Sequence, residues 1–500
     1  MGIKRILVLL LYGILLIPAA PAGVFFPLFE PYTFGKTELF EILVEAMAIV
    51  WLAGYWHQRR ELARVIAGHK ITRAIVLLLA ALAASTLAGT DISASFWGSS
   101  ARGDGLFVIA HFMLFFAVLA SVFEKNELRK ALRFSVFASL FVALYGALQY
   151  FHIPWVRSSE GDIFGTIGNP AYLATYLSFH IFLAVSFARE TTHPTWKLGF
   201  QVVIGLESIV VLLTHNRAGI IGLALGALIA SYPYAKESFL KMPAWKKAAT
   251  RSAVLWCIFA FLMALPNIIS YAQQDTTIQS RALGWRAALA TIPEHPILGH
   301  GANQFEHAYA DYVRRLGITA PTQEAFDKPH NVILETAFSW GLLGLAAYLW
   351  LWYTLIKVIQ NTYAPRERSL WYGMLAAYAV SLLFLFDTFV SLLMFFALLA
   401  FFAIPKTPTS SHPHVWKLNF QTWGTRQTWI MGMTGVAFFA GLFLAFHFKP
   451  LYSAYYARAL FVQAQKTGML DERLEAEALR YPSFNSYFIR NAIRQFERAQ

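Results

Sequence analysis

Long apolar runs broken by shorter polar ones limit the fold of this chain more than any other feature. Stretches such as 105–123 and 389–404 carry no lysine, arginine, aspartate or glutamate. Runs of about 18–25 apolar residues recur from the start to the last quarter of the sequence. In lipid the backbone must satisfy its own hydrogen bonds, and runs of this length do so as helices. With 57% hydrophobic residues over 500 positions, a soluble globule has no interior large enough to hide them. The fold class expected is all-α, a polytopic membrane protein.

Spans are expected at roughly 6–28, 38–56, 73–89, 105–123, 132–151, 171–188, 198–213, 218–234, 252–270, 331–356, 370–387, 389–404 and 429–448, or about 12–13 transmembrane helices. Met1–Phe29 begins with Lys4-Arg5, and its apolar run is long enough to stay as the first span, so no cleaved signal is expected. The chain then divides into helices over 1–270, a large polar loop at 271–330, further helices over 331–448 and a helical tail at 449–500. In the tail, Ala457-Arg458-Ala459-Leu460 and Ala476-Glu477-Ala478-Leu479 precede Tyr481-Pro482, the pattern of a tetratricopeptide-type helix pair or an ordinary helical tail.

The formal charge of +13 raises nucleic acid as a partner. The basic residues, however, lie in loops between spans. His57–Arg73 holds Arg59, Arg60, Arg64, Lys70 and Arg73 against Glu61, and Ala235–Arg251 holds Lys236, Lys241, Lys246, Lys247 and Arg251 against Glu237. These and the basic loops at 124–133 and 357–368 fall on one side in the span count, which the positive-inside rule makes cytoplasmic. The membrane, not nucleic acid, is the partner this pattern implies. The loop at 271–330 then lies outside the cytoplasm. A single cysteine, Cys257, excludes a disulfide framework and a zinc–cysteine cluster. Neither a cofactor motif nor a metal cage is legible, so no cofactor and no metal are expected.

Chemistry-bearing residues gather at the outer loops. Arg217, in Thr214-His215-Asn216-Arg217-Ala218-Gly219, is either a snorkelling anchor or a cation turned into the bundle by the small Gly219, Gly222 and Gly226. In the second case it requires an acid or a phosphate as partner. Arg281 and Trp285 share a helical face, while Arg286 points elsewhere. That stretch is a surface amphipathic helix or a guanidinium clamp for phosphate. In Pro329-His330-Asn331, a helix N-terminus disfavours added positive charge, which keeps His330 neutral as a general base requires. The plainer reading of His330 is a polar boundary residue. Glu335 complements the helix dipole or orients a base. Arg102, between Ala101 and Gly103, is an interfacial anchor or a ligand contact. Asn169 before Pro170 is a helix N-cap. His295, His300 and His307 share no face and are read as structural, and Asp91, Asp104, Asp162 and Asp275 as scattered acids.

Four of these pieces, in order, resemble the O-antigen ligase and polymerase superfamily of membrane glycosyltransferases. Gly165-Thr166-Ile167-Gly168-Asn169 resembles its G-T-x-G-N segment. Thr214–Gly219 resembles T-x-S-R-G, with Asn216 and Ala218 replacing serine and glycine. Ser280-Arg281 through Trp285 and Pro296–Gly301 resemble S-R-x-x-x-W…P-x-x-G-x-G. His330-Asn331 through Glu335, then Gly341 and Gly344, resemble H-N-x-x-L-E…G-x-x-G. Trp97–Gly105 also resembles a W-G-S-Y-x-R subgroup, with Ser100 for tyrosine.

The resemblance implies transfer of a glycan from an undecaprenyl-diphosphate carrier to a hydroxyl of a lipid, glycan or protein acceptor, at the outer face of the plasma membrane. It implies catalytic roles for His330, Arg281 and Arg217, and an inverting reaction without metal. Arg102, Arg286, Asn169, Trp285, Asn331 and Glu335 are expected to contact substrate. A polymerase, a protein O-oligosaccharyltransferase and, in another class, a flippase of lipid-linked sugar are the competing readings. The flippase expects charged residues within the spans and inverted repeats.

Overall fold

In the computed structural model, the described residues are 3–21, 32–55, 67–99, 102–153, 156, 162–252, 263, 270–271, 273–317, 326–405, 425–481, 489–490, 492–493 and 496. They form helices and connecting turns, with no β-sheet among them. In chain order the elements used below are α1 (Ile3–Leu16), α2 (Phe34–Tyr55), α3 (Lys70–Ala88), α4 (Ile92–Trp97), α5 (Leu106–Val122) and α6 (Lys125–Tyr150). Then come α7 (Pro170–Glu190), α8 (Pro194–Leu213), α9 (Arg217–Lys241), α10 (Thr276–Thr291), α11 (Phe305–Leu316) and α12 (Val332–Thr362). The remainder are α13 (Pro365–Leu382), α14 (Phe389–Ala403), α15 (Thr425–Leu442), a π-helical turn Phe443–His447, α16 (Phe448–Thr467) and α17 (Glu472–Ala478).

Seven of the described helices are long and apolar enough to cross a membrane: α3, α6, α7, α8, α9, α12 and the continuous stretch Gly432–Thr467. The chain is an all-α polytopic membrane protein, as the apolar runs require. Several expected spans take other forms. In the described part of the run at 6–28, the α-helix ends at Leu16, where Ile17-Pro18-Ala19 makes a 3-10 turn. Proline lacks the N–H that would continue the ladder. α14 has 15 residues, about 22 Å at 1.5 Å per residue, short of a hydrocarbon core of about 30 Å. The run expected at 370–387 ends at Leu382, and Leu383–Thr388 forms a loop capped by Thr388. The span expected at 252–270, Cys257 included, lies almost wholly outside the described residues, as do 22–31, 56–66 and 406–424.

Small residues set the closest helix contacts. A Cβ on Gly222 would lie 2.6 Å from Ala377 O, and one on Gly226 2.4 Å from Gly373 O. α9 and α13 therefore touch backbone to backbone, the packing that glycine permits in lipid, where van der Waals contact drives association.

A second close contact positions the loop. α12 breaks at Gly341 (φ 65°, ψ −175°), a conformation open to glycine. The segment Pro296–Gly301 lies against the break. Leu342 and Leu343 donate to Pro296 O (2.9 Å) and Ile297 O (3.1 Å), while His300 and Gly301 donate to Phe338 O and Ser339 O (both 2.9 Å). The hydrogen bonds that α12 loses at its kink are thus replaced from the loop. α10 and α11 rest on this frame through Leu283, Ala287, Phe305 and Phe338. In the tail, α16 and α17 pack through Ala457, Leu460 and Ala478.

At Gly341 an added Cβ would stand 2.2 Å from Ile297 O, on top of a strained φ that costs about 1–3 kcal/mol. Gly341→Ala is expected to lower the melting temperature in detergent by several degrees. Gly205→Ala, with nothing within 4 Å of the new methyl, is expected to hold or raise it. Equal melting temperatures for the two variants would contradict this account of the kink.

Candidate active site

The polar site is built from four chain segments that meet at the N-terminal end of α12. Gly98–Gly105 is pulled into a tight loop because Ser99 N donates to Asp104 Oδ1 (2.8 Å) and Gly98 takes φ 72°. Ser100 and Ala101 lie outside the described residues. Arg102 leaves this loop and grips Asp327 with two bonds, Nε to Oδ2 at 2.6 Å and Nη2 to Oδ1 at 3.0 Å. Its Nη1 donates to Tyr172 OH (2.8 Å), and its guanidinium lies 5.0 Å from the Phe386 ring centre. Burial alone lowers a guanidinium pKa, but Tyr172 and Asp327 outweigh it and hold Arg102 above its ordinary value. Burial likewise works against ionising Asp327, but Arg102 prevails and keeps that carboxyl below its ordinary value.

Lys328 is buried and joins two acids, Asp104 at 2.5 Å and Glu335 at 2.8 Å. Burial opposes its charge, yet these two partners raise its pKa well above that of a free lysine. Glu335, read from sequence as a dipole complement or a base orienter, is instead the counter-ion of Lys328. A buried ammonium takes the nearest carboxylate on the first turn of α12.

His330 sits in the left-handed region, φ 53°. Its ring packs between Phe326 (5.0 Å) and Phe386 (5.2 Å). Nδ1 is 2.9 Å from Lys328 O, so Nδ1 carries the proton and Nε2 is the free base. Burial depresses its pKa to about 4, opposed by the Lys328 carbonyl and Asp327, and the charges of Arg102 and Arg281 lower it further. The imidazole is neutral at pH 7, as the sequence implied. Desolvation is the first cause, ahead of any helix dipole. Asn331 caps α12, accepting from Ile333 N (3.0 Å) and Leu334 N (3.1 Å), and donates to Leu383 O (3.0 Å).

Arg281, on α10, has no hydrogen-bond or ion-pair partner among the described residues. Burial, then the repulsion of Arg217, lower its pKa, against Asp275. Arg217 is the first residue of α9. Expected to turn into the bundle, it is 59% exposed there and leans onto the loop, donating to Asp275 Oδ2 and Tyr271 OH, both at 2.9 Å. An acid was available outside the bundle, so burial of the cation was not needed. Asp275 also caps α10 through Ile278 N (3.1 Å).

Trp285 places its buried Nε1 without a hydrogen-bond partner among the described residues, and Arg286 faces solvent. Asn169 accepts from Ala171 N (2.8 Å) and Tyr172 N (3.3 Å), which occupies its carbonyl as the cap of α7. His300 is structural, stacked 4.4 Å from Phe338 and bonded to Thr291 O (3.0 Å). The structure therefore brings Arg102 and Arg281 each within electrostatic reach of His330, with Arg217 acting on Arg281. Asp104, Asp275, Asp327, Lys328, Tyr172 and Phe386 were not singled out in sequence as site residues. The charge of Asp387 at the end of an apolar run was the available signal that the loop carrying Phe386 leaves the helix. A cavity of about 100 Å³ opens among these charges, lined by Asp104, Lys328, Glu335 and Asp387 and continued by apolar Leu351 and Phe396.

Fold and site together define a polytopic helical membrane protein with a cationic, histidine-bearing site at one end of its bundle. Residues 202–349 match the family model described as O-antigen ligase, a match that supports membership of that superfamily. The matched stretch contains Arg217, Arg281, Trp285, Arg286, His330, Asn331 and Glu335; Arg102 and Asn169 precede it. Over 256 residues the chain is 26% identical to an uncharacterized protein of Haemophilus influenzae. That alignment covers 47% of this chain and 62% of the relative, less than two thirds of its length.

Removing the charge of Lys328 leaves Asp104 and Glu335 facing each other, with a cost of about 3–5 kcal/mol. Lys328→Met is expected to lower the melting temperature sharply. Lys328→Met with Glu335→Gln should recover part of it, because one of the stranded charges is gone. A double variant no more stable than the single one would contradict the pairing.

Proposed function

We propose that this protein transfers a glycan from an undecaprenyl-diphosphate carrier to an acceptor hydroxyl, at the extracytoplasmic face of the inner membrane. The observation that carries this reading is Arg281, a half-buried guanidinium without an ion-pair partner among the described residues, beside an imidazole that stays neutral at pH 7. A diphosphate supplies the anion such a guanidinium lacks, and its planar fork suits phosphate oxygens. The basic loops at the other ends of the helices set the orientation.

In this mechanism Nε2 of His330 takes the proton of the acceptor hydroxyl, and the acceptor oxygen bonds to the anomeric carbon. The bond from that carbon to the diphosphate breaks, and its electron pair leaves with the lipid diphosphate. Attack opposite the leaving group inverts the sugar. Arg281 and Arg217 stabilise the charge that grows on the leaving group. Arg102 joins them when the donor competes with Asp327 for its fork. Arg286, Trp285, Asn331, Asn169 and Glu335 are the proposed substrate contacts, Glu335 with a buried Oε2 still free of hydrogen bonds among the described residues. The cavity that runs from charged to apolar walls suits a ligand with a phosphate head and a lipid tail.

With purified full-length protein, labelled lipid-linked glycan and lipid, glycan and peptide acceptors, Arg281→Ala is expected to lose about 10²–10³ in rate and His330→Ala about 10²–10⁴, while both still insert in the membrane. Near-normal turnover by His330→Ala would remove the base assignment. Movement of carrier across liposomes without its consumption would favour a flippase instead.

The pH profile of kcat/KM offers a separate check. Because His330 titrates at about 4 in the free protein, the acid limb is expected near pH 4, with the rate lost as pH falls through it. A limb near 6.5, the value of an unperturbed histidine, would contradict an imidazole held low by burial.

A further inference from the structure

Away from the polar site, five ionisable side chains meet inside the bundle. Glu38, Glu41 and Glu45 lie along one face of α2, His111 projects from α5 and His447 from the π-helical turn. All are buried, with His447 at 0%, Glu38 at 2% and Glu41 at 3% exposure. His447 Nδ1 is 2.8 Å from Glu38 Oε2 and 4.0 Å from Glu41 Oε2, while its Nε2 is 3.2 Å from Glu45 Oε1. His111 Nε2 reaches the same Glu45 oxygen at 3.3 Å, with its Nδ1 2.8 Å from Phe107 O.

These groups do not balance one another. Three carboxylates face two imidazoles, so even two imidazoliums leave one negative charge in a low-dielectric interior. Glu41 has no hydrogen bond to any described residue, and it points at a His447 nitrogen already taken by Glu38. Glu45 Oε2 is also buried without a hydrogen bond among the described residues. When Nε2 of His447 holds its proton toward Glu45, Nδ1 becomes a bare acceptor. Nδ1, Glu38 and Glu41 then converge as three acceptors with no donor between them.

From this geometry we infer a binding site for a divalent first-row transition-metal ion, of the Zn²⁺ or Mn²⁺ class, held by Glu38, Glu41 and His447. One ligand atom from each of the three lies within 4.8 Å of the other two. Zinc ligands at about 2.0–2.2 Å from the ion stand roughly 3.3 Å apart, so on binding Glu41 moves toward His447, from 4.0 Å, while Glu38, at 2.8 Å, moves slightly away. One imidazole and two carboxylates match zinc or manganese better than magnesium or calcium, which prefer oxygen alone. Glu45 Oε1 stands 3.2 Å from the far nitrogen of His447, where an outer carboxylate would fix a metal-bound imidazole. The ion balances the charges of Glu38 and Glu41, and Glu45 keeps its contact with His111 Nε2 at 3.3 Å.

Two further features serve such a site. The π-turn adds a residue to the helix at His447, a departure from α-geometry that recurs at functional positions. A small cavity of about 10 Å³, room for about one water, is lined by Glu38, Glu41, Thr37, Ser99 and Gly103. It offers a fourth ligand and an approach from the loop that carries Arg102.

The test uses the full chain, purified in detergent with a tag free of histidine, stripped with a chelator and refilled with ZnCl₂, MnCl₂ or MgCl₂. Elemental analysis after gel filtration is expected to find about one zinc or manganese ion per chain and no retained magnesium. Added zinc should raise the melting temperature of the stripped protein. His447→Ala and Glu41→Gln should lose the ion and the thermal shift, while Glu45→Gln should weaken affinity by about 10–100-fold. Wild-type protein that retains no ion, or variants that retain as much as wild type, would overturn the inference. Wild-type stoichiometry decides even if a variant fails to fold, and none of these readouts depends on glycan transfer.

Discussion

The buried ammonium of Lys328 ties the polar end of this molecule together. It joins Asp104 of the Gly98–Gly105 loop to Glu335 on the first turn of α12, above the Phe386 ring. Two carboxylates this close repel strongly in a water-poor setting, and an isolated ammonium there is equally costly. Each is tolerated because the others are present. The neighbours of Lys328 inherit that order. Asp327 is held where Arg102 can grip it with both arms, and His330 is turned into its left-handed conformation with Nδ1 on the Lys328 carbonyl.

Backbone contacts do for the frame what this charge does for the site. Gly341 interrupts α12, and Pro296–Gly301 supplies hydrogen bonds at the interruption. The polar segment is thereby anchored at its middle to a membrane helix, while α10 and α11 bury their own small core beside it. Arg281 is presented by a braced helix, and His330 by the start of the very helix that braces it. Precision at a catalytic centre depends on such support, since small displacements of reacting groups carry large penalties in rate.

The chain places ionisable groups in two separate settings. At the end of the bundle, Arg281 has no ion-pair partner among the described residues, although acids pair with Arg102, Arg217 and Lys328. Within the bundle, three carboxylates lie about two imidazoles around His447. The same physics governs both: a charge out of water requires an opposite charge or a ligand that supplies one.

Much was determined by the order of residues alone. Apolar runs without charge dictate helices in lipid, because no other open structure satisfies the backbone there. Asn169 as a cap and the close approach at Gly222 and Gly226 were legible, since each depends on local spacing or on residue type, whereas the neutrality of His330 rests first on burial, which only packing supplies. The ends of 6–28 and 370–387 were not, because hydropathy does not register where a proline turn or a capping threonine stops a helix. Nor was the partnership of Arg217 with Asp275, of Arg102 with Asp327 or of Lys328 with Asp104, positions far apart in the chain or hidden among scattered acids. Glu38, Glu41 and Glu45 could be read along one span, but their meeting with His447, some four hundred residues on, exists only once α2, α5 and the π-turn pack. Local chemistry is written in sequence; which charges share a space is decided by helix packing, because Coulomb energy depends on distance in space and not on separation along the chain.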